Sequence, residues 1–187
     1  VFGLAESSVG LTFPTAQRLP QVERIQRKAL TCFGKAIAAE AEDNDVIQIV
    51  GLGLPLPGHQ IRIVDELGRE LPEREEGELE FKGPSATQGY YREPDKTKLL
   101  YHGEWLKTGD RAFTIDGELF ITGRNKDIII RAGRNIYPNE LEEAVGTIAG
   151  VRKGCVAVFA GHDKESGTER LIVLAESRIC DVSKQKK

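Results

Sequence analysis

The side chains best suited to chemistry lie in four short segments. Phe2-Gly3-Leu4-Ala5-Glu6 ends in a carboxylate, and Gly77-Glu78-Leu79 leads on to Gly89-Tyr90-Tyr91. Trp105-Leu106-Lys107-Thr108-Gly109-Asp110 ends in a second carboxylate, and Gly123-Arg124-Asn125-Lys126-Asp127 runs on to Gly133 and Pro138-Asn139-Glu140. Glu6 supplies hard oxygen suited to Mg²⁺, an ion that commonly bridges phosphates and one or two carboxylates. Asp110 follows a glycine, which predicts a turn, and a carboxylate there can accept hydrogen bonds from two adjacent ribose hydroxyls. Arg124 offers a planar, permanently charged fork to ribose or phosphate oxygens. Taken singly, each has a plainer explanation: a surface glutamate, an ordinary turn aspartate, a solvated arginine paired with Asp127. Trp105, the only tryptophan, is expected to pack and anchor the turn rather than react. His59, His102 and His162 have no partners at metal-ligand spacing and are expected to be structural or surface residues.

These residues need a scaffold, and the text from Gln60 onward predicts one made of β-strands. Gln60 to Asp65 alternates apolar and polar, Glu66-Leu67-Gly68 turns the chain, and Glu78 to Phe81 alternates again. Ala112 to Ile115 and Glu118 to Ile121 flank Asp116-Gly117, a two-residue loop able to take the positive φ angles of a tight hairpin. Ile128-Ile129-Ile130 predicts a strand ended by Ala132-Gly133. Pro138 then opens a helix whose early glutamates complement its dipole and whose apolar face is Leu141, Val145 and Ile148. Strands over Cys155–Phe159 and Arg170–Ala175 follow, and the lysine-rich tail from Ser183 is expected to be disordered. Val22, Ile25, Ala29, Phe33 and Ile37 fall at helical spacing, against which Thr31 and Gly34 argue. The polar run Arg124–Asp127 is the natural boundary between two domains.

Composition bounds the function. The chain has 187 residues, 40% apolar and 29% charged, with 26 basic and 29 acidic side chains and a net charge of −3. That is the balance of a folded globular protein and argues against a nucleic-acid binder. No apolar run is long enough to span a bilayer and no signal peptide opens the chain, so a cytoplasmic location is expected. The three cysteines stand far apart, which excludes a disulfide scaffold or zinc module and suggests a reducing compartment. With no methionine at all, the sequence reads as a piece of something longer.

In this order and at this spacing the four segments resemble the adenylate-forming superfamily of acyl-CoA synthetases and fatty acyl-AMP ligases, from Phe2 to about Ser177. The resemblance implies an α+β fold. Residues 1–123 would be the C-terminal part of the large adenylation domain, β-barrel-like, with an insertion at about 20–48. Residues 124–187 would be a hinge and the first half of the small domain. It implies ATP and Mg²⁺ as cofactors, a fatty acid as substrate, and CoA or the phosphopantetheine of an acyl carrier protein as acceptor. It assigns Asp110 and Arg124 to the nucleotide and Glu6 to catalysis and the metal. Phe2 and Leu4 would form an apolar slot for adenine, with Gly3 letting the backbone approach. Lys126 falls at the family's hinge and Gly133 on the loop lining the acceptor tunnel. Ala5 stands where the family usually has threonine, so a hydroxyl toward the phosphate is missing; Ser7 is the nearest other hydroxyl.

The family's Gly/Ser/Thr-rich phosphate loop and its adenylating lysine have no counterpart in these residues, so the chain by itself is expected to be inactive. The longer segment between Glu6 and Gly51, Ala5, and Gly133-Arg134-Asn135 followed by Tyr137-Pro138 lean toward the acyl-AMP ligase branch. Related long-chain synthetases share such text, and the acceptor stays open between CoA and carrier protein. The alternative of another class is a non-catalytic partner-binding module with degenerate adenylation motifs; intact Glu6, Asp110 and Arg124 count against it.

Overall fold

The computed structural model describes residues 1–131, 133–162 and 169–177. The chain divides into two compact units, Val1–Asn125 and Lys126 onward. In the first, strand β1 (Thr12–Phe13) precedes β2 (Val22–Gln26), helix α1 (Arg27–Phe33), β3 (Val46–Val50) and β4 (Leu54–Pro55). There follow β5 (Gln60–Val64), β6 (Gly77–Lys82), helix α2 (Pro94–Leu100), β7 (Tyr101–His102), β8 (Trp105–Ile115) and β9 (Glu118–Arg124). The five strands β5–β9 form one sheet, with β6 on one side of β8 and β7 and then β9 on the other.

The predicted hairpin is present. Asp116 and Gly117 take φ values of 51° and 74°, the left-handed pair that matches the twist of β8 and β9. Consecutive residues of a strand point to opposite faces, yet Ala112 and Phe113 are both fully buried, so β8 is covered on both sides. On one side Ala112 joins Ile63, Leu79 and Leu119. On the other, Phe113 stacks on Phe120 with ring centroids 5.2 Å apart. A neighbouring cluster of Leu11, Phe81, Leu100 and Leu106 is joined to the first by Phe2 and Ile61, which pack against both.

The segment from Val22 to Ala41 is not one helix. Val22–Gln26 pairs with β3 along its whole length, and only Arg27–Phe33 is helical. Gly34, at φ 63°, ends the helix as a left-handed cap. Val22, Ile25 and Ala29 share a spacing but not an element, because pairing with Val46–Val50 outweighs a seven-residue helix that is too short to hold by itself.

The second unit holds β10 (Ile129–Arg131), β11 (Arg134–Ile136), helix α3 (Pro138–Gly146), β12 (Val151–His162) and β13 (Glu169–Ser177). β10 and β11 form a hairpin, β12 and β13 a second one, and α3 packs on β12. Glu142 of α3 accepts a hydrogen bond from the Val158 amide at 3.0 Å. Pro138 takes the first helical turn as predicted. Ile148, however, lies beyond the helix end and is 56% exposed, so the apolar face reduces to Leu141 and Val145. The lysine-rich tail lies outside the described residues. Among the described residues no helix is long and apolar enough to cross a membrane.

Candidate functional site

Glu6 sits in a tight loop closed on itself. Ala5–Ser7 form a 3₁₀ turn, and the amides of Ser7 and Val9 both donate to the Leu4 carbonyl, at 3.1 and 3.0 Å. Ser8 and Val9 take φ values of 52° and 83°. For a β-branched residue that is a strained backbone, of the kind held at functional loops by the surrounding structure. Gly3 is required for the closure: a Cβ there would lie 1.4 Å from the Val9 carbonyl oxygen. The close approach expected at Gly3 is thus made by the protein's own backbone. Phe2 and Leu4 do not form an open slot either, because their half-buried side chains pack against the Leu11 and Phe81 core. The loop presents Gly3 and Ala5 outward on one side of Glu6 and Ser8 and Val9 on the other, all exposed. Ser7 is buried and donates to the Leu4 carbonyl, so its hydroxyl does not replace the missing threonine.

The Glu6 side chain accepts one hydrogen bond, from the Tyr90 hydroxyl to Oε1 at 2.6 Å. Its second oxygen accepts none among the described residues. The carboxylate acceptor raises the Tyr90 phenol above its ordinary pKa, with a smaller contribution from burial. In the sequence Tyr90 stands in the Gly89-Tyr90-Tyr91 motif with nothing to assign it a task. The partners are 84 residues apart, and nothing local signals the pairing.

Asp110 is not at a turn. It lies inside β8 at a bulge, where five residues of β8, Lys107–Arg111, face three of β6, Glu78–Glu80. Gly109 supplies the φ of 76° that the bulge needs. Thr108 stabilises it twice, its hydroxyl donating to the Leu79 carbonyl at 2.9 Å and accepting the Asp110 amide at 3.0 Å. Asp110 is only 6% exposed, which removes the surface-turn explanation. Arg124, directly across the hairpin, brings Nε to 3.3 Å from Asp110 Oδ1 while most of its side chain faces solvent. Its ion-pair partner is therefore Asp110, not Asp127. Lys126 follows at the first residue of the second unit, and Gly133, at φ 73°, lies in the β10–β11 turn with open space where a Cβ would stand.

Several other polar groups pair with one another. Buried Glu80 takes both Nε and Nη2 of Arg62, at 2.8 and 2.6 Å, and Nδ1 of His102 at 2.9 Å. The cations of Arg62 and Lys82 both lie over the Trp105 ring, 4.4 and 4.6 Å from its centre, contacts of a packing residue. A cleft of about 620 Å³ is lined by His59, Lys82, Thr87, Tyr101 and Glu104. Three of its polar side chains are already paired: His59 with Ser85 at 2.7 Å, and Lys82 with Glu104 at 2.6 Å. It contains none of Glu6, Asp110 or Arg124. Among the described residues no three acidic, histidine or cysteine side chains form a metal cluster.

Comparison with known proteins assigns the class. Residues 1–91 match the family described as AMP-binding enzyme, and the solved structures of like fold are adenylate-forming enzymes. This chain belongs to that adenylate-forming, AMP-binding superfamily. Within it the chain is similar to a Mycobacterium tuberculosis long-chain-fatty-acid–AMP ligase, 32% identical over 94% of this chain and 31% of that protein. A Caulobacter vibrioides protein provisionally named an acyl-CoA synthetase is 37% identical over 95% of this chain and 31% of its own length. A structure from work on fatty acyl-adenylate ligases of E. coli and L. pneumophila superposes with a TM-score of 0.89 at 33% identity, covering 98% of this chain and 32% of that one. The β-rich architecture matches part of an adenylation domain. The chain thus spans about a third of the length of the relatives it matches.

Proposed function

We propose that this chain is the nucleotide-holding part of an ATP-dependent fatty-acid ligase. The observation that carries the reading is the buried Asp110 carboxylate, set in a bulge and paired across the hairpin with a mostly exposed arginine. In the proposed reaction a fatty carboxylate oxygen attacks the α-phosphorus of ATP, the bond to the bridging oxygen breaks, and pyrophosphate leaves. A thiol of CoA or of carrier-protein phosphopantetheine then attacks the acyl carbon, and AMP departs. Asp110 would accept the ribose hydroxyls and Arg124 would meet ribose or phosphate oxygen. The Gly3–Ala5 edge, backed by Phe2 and Leu4, would lie against the adenine.

Glu6 would hold Mg²⁺ through Oε2, the carboxylate oxygen left open when Tyr90 takes Oε1. The ion would supply charge stabilisation to the phosphates. Lys126 would act as the hinge between half-reactions and Gly133 as a clearance for the pantetheine arm. The names of the fatty-acid relatives support the substrate class.

The test is fatty-acid-dependent ATP–pyrophosphate exchange by the full-length protein carrying this chain, followed by transfer to CoA and to a holo carrier protein. Exchange with fatty acids and transfer to one acceptor are expected. A folded full-length protein that binds neither AMP nor fatty acyl-AMP would overturn the reading.

A further inference from the structure

We propose that Tyr90 is the positioning residue of the Glu6 carboxylate: its phenol holds Oε1 and leaves Oε2 as the oxygen available to a divalent cation. The inference rests on the assignment of Glu6 made above and adds a residue to it. A phenol–carboxylate bond at a surface would ordinarily come and go with solvent, and Tyr90 is 42% exposed. Here both partners are fixed from behind. The Thr87 amide donates to the Glu6 carbonyl at 2.8 Å, tying the loop after β6 to the Glu6 turn. The Tyr90 amide donates to Thr97 Oγ1 at 2.9 Å, and that hydroxyl donates to the Glu93 carbonyl at 2.9 Å in the first turn of α2.

Gly89 makes the approach possible. It sits at φ 135°, and a Cβ there would meet Thr97 Cγ2 at 2.4 Å. Thr87 closes the same loop through Oγ1, which accepts the Gly89 amide at 3.2 Å. The neighbouring Tyr91 shows what an untasked tyrosine looks like here: it is 83% exposed, its hydroxyl makes no hydrogen bond among the described residues, and the Arg92 guanidinium lies 5.1 Å from its ring centre. A carboxylate that offers one oxygen to a metal and has the other held by a neutral donor is the usual arrangement of an oriented ligand. Removing such a partner typically weakens metal binding about 10- to 100-fold, and the exposed position of Tyr90 puts it at the lower end.

The test uses the full-length protein with a non-cleavable ATP analogue. Mn²⁺ binding is followed by electron paramagnetic resonance, alongside pyrophosphate exchange at varied metal concentration. Tyr90→Phe keeps the ring, so the fold is retained. It should raise the Mn²⁺ dissociation constant about 10-fold, leave the analogue's own affinity without metal unchanged, and add nothing on a Glu6→Gln background. Unchanged Mn²⁺ binding in Tyr90→Phe, with Glu6→Gln impaired, overturns the role of Tyr90 alone. Unchanged Mn²⁺ binding in Glu6→Gln overturns the metal assignment of Glu6 and this inference with it. Equal losses from Tyr90→Phe in both backgrounds identify a merely structural residue and also overturn it.

Discussion

Replacing Asp110 separates binding from folding, because the structure gives the two effects different sizes. The residue is 6% exposed, and its partner Arg124 is 62% exposed along the side chain. An ion pair with one end in water contributes about 1 kcal/mol or less to stability. The proposed ribose contact is larger: two hydroxyl donors to one charged acceptor amount to about 2–4 kcal/mol. At 1.36 kcal/mol per decade, that is roughly a 30- to 900-fold loss of affinity. Asp110→Ala in the full-length protein should therefore weaken AMP binding by that factor, measured by isothermal titration calorimetry. Urea unfolding of the same variant should move by about 1 kcal/mol. Asp110→Asn keeps the volume in the bulge and should lose part of the affinity with less change in stability. AMP affinity within threefold of the parent, in a variant that remains folded, would refute the ribose assignment. So would a loss of stability large enough to account for the loss of binding.

Lys126→Pro fixes φ near −65° and restricts the preceding Asn125; with the two half-reactions assayed separately, adenylation should survive and transfer to the thiol should fall sharply, whereas unchanged rates in both would remove the hinge. Phe120→Ala empties a fully buried site stacked on Phe113 and should cost about 3–5 kcal/mol in urea unfolding; a cost under about 1 kcal/mol would show that this side of β8 is not the core of the unit. The Tyr90 phenol is raised above its ordinary value of 10.0 by the Glu6 carboxylate. A raised acid binds its proton more tightly when folded, so the stabilisation is present below pH 10 and disappears as pH climbs through the raised value. Carbon-13 NMR of the labelled phenol should show the late titration, and Glu6→Gln should return it toward the ordinary range; a titration indifferent to Glu6 would break the link.

What the sequence made legible was what neighbouring residues decide. Asp116-Gly117 specifies its hairpin because the pair readily takes the two left-handed conformations of the type I′ loop, and Pro138 marks the start of α3 for an equally local reason. Val22–Ala41 was not legible, since the strand Val22–Gln26 exists only through pairing with Val46–Val50. Asp110 stands out in the sequence as a candidate, but its geometry does not: a glycine before it signals positive φ, and positive φ serves turns and bulges alike. Tyr90 with Glu6 and His102 with Glu80 were beyond reach, because each joins segments far apart in the chain.

The bulge also explains how a polar site can sit in the middle of a core strand without disturbing it. Leu106 and Ala112 are both buried on β8, and between them the strand carries two residues more than β6 opposite. Side chains alternate with a period of two, so an odd insertion would send everything after it to the other face. An even one preserves the alternation: Phe81 still faces Leu106 and Gly77 still faces Ala112. The extra length is absorbed at Thr108, Gly109 and Asp110. Gly109 has no neighbour within 4 Å of a Cβ position, so backbone conformation, not crowding, calls for glycine there. Buried Glu80 on β6, by contrast, is held by an arginine and a histidine and has become scaffold. Where a carboxylate's partners come from the sheet it stabilises the sheet; where the sheet is bent to bring it to an exposed arginine, the geometry is suited to a ligand.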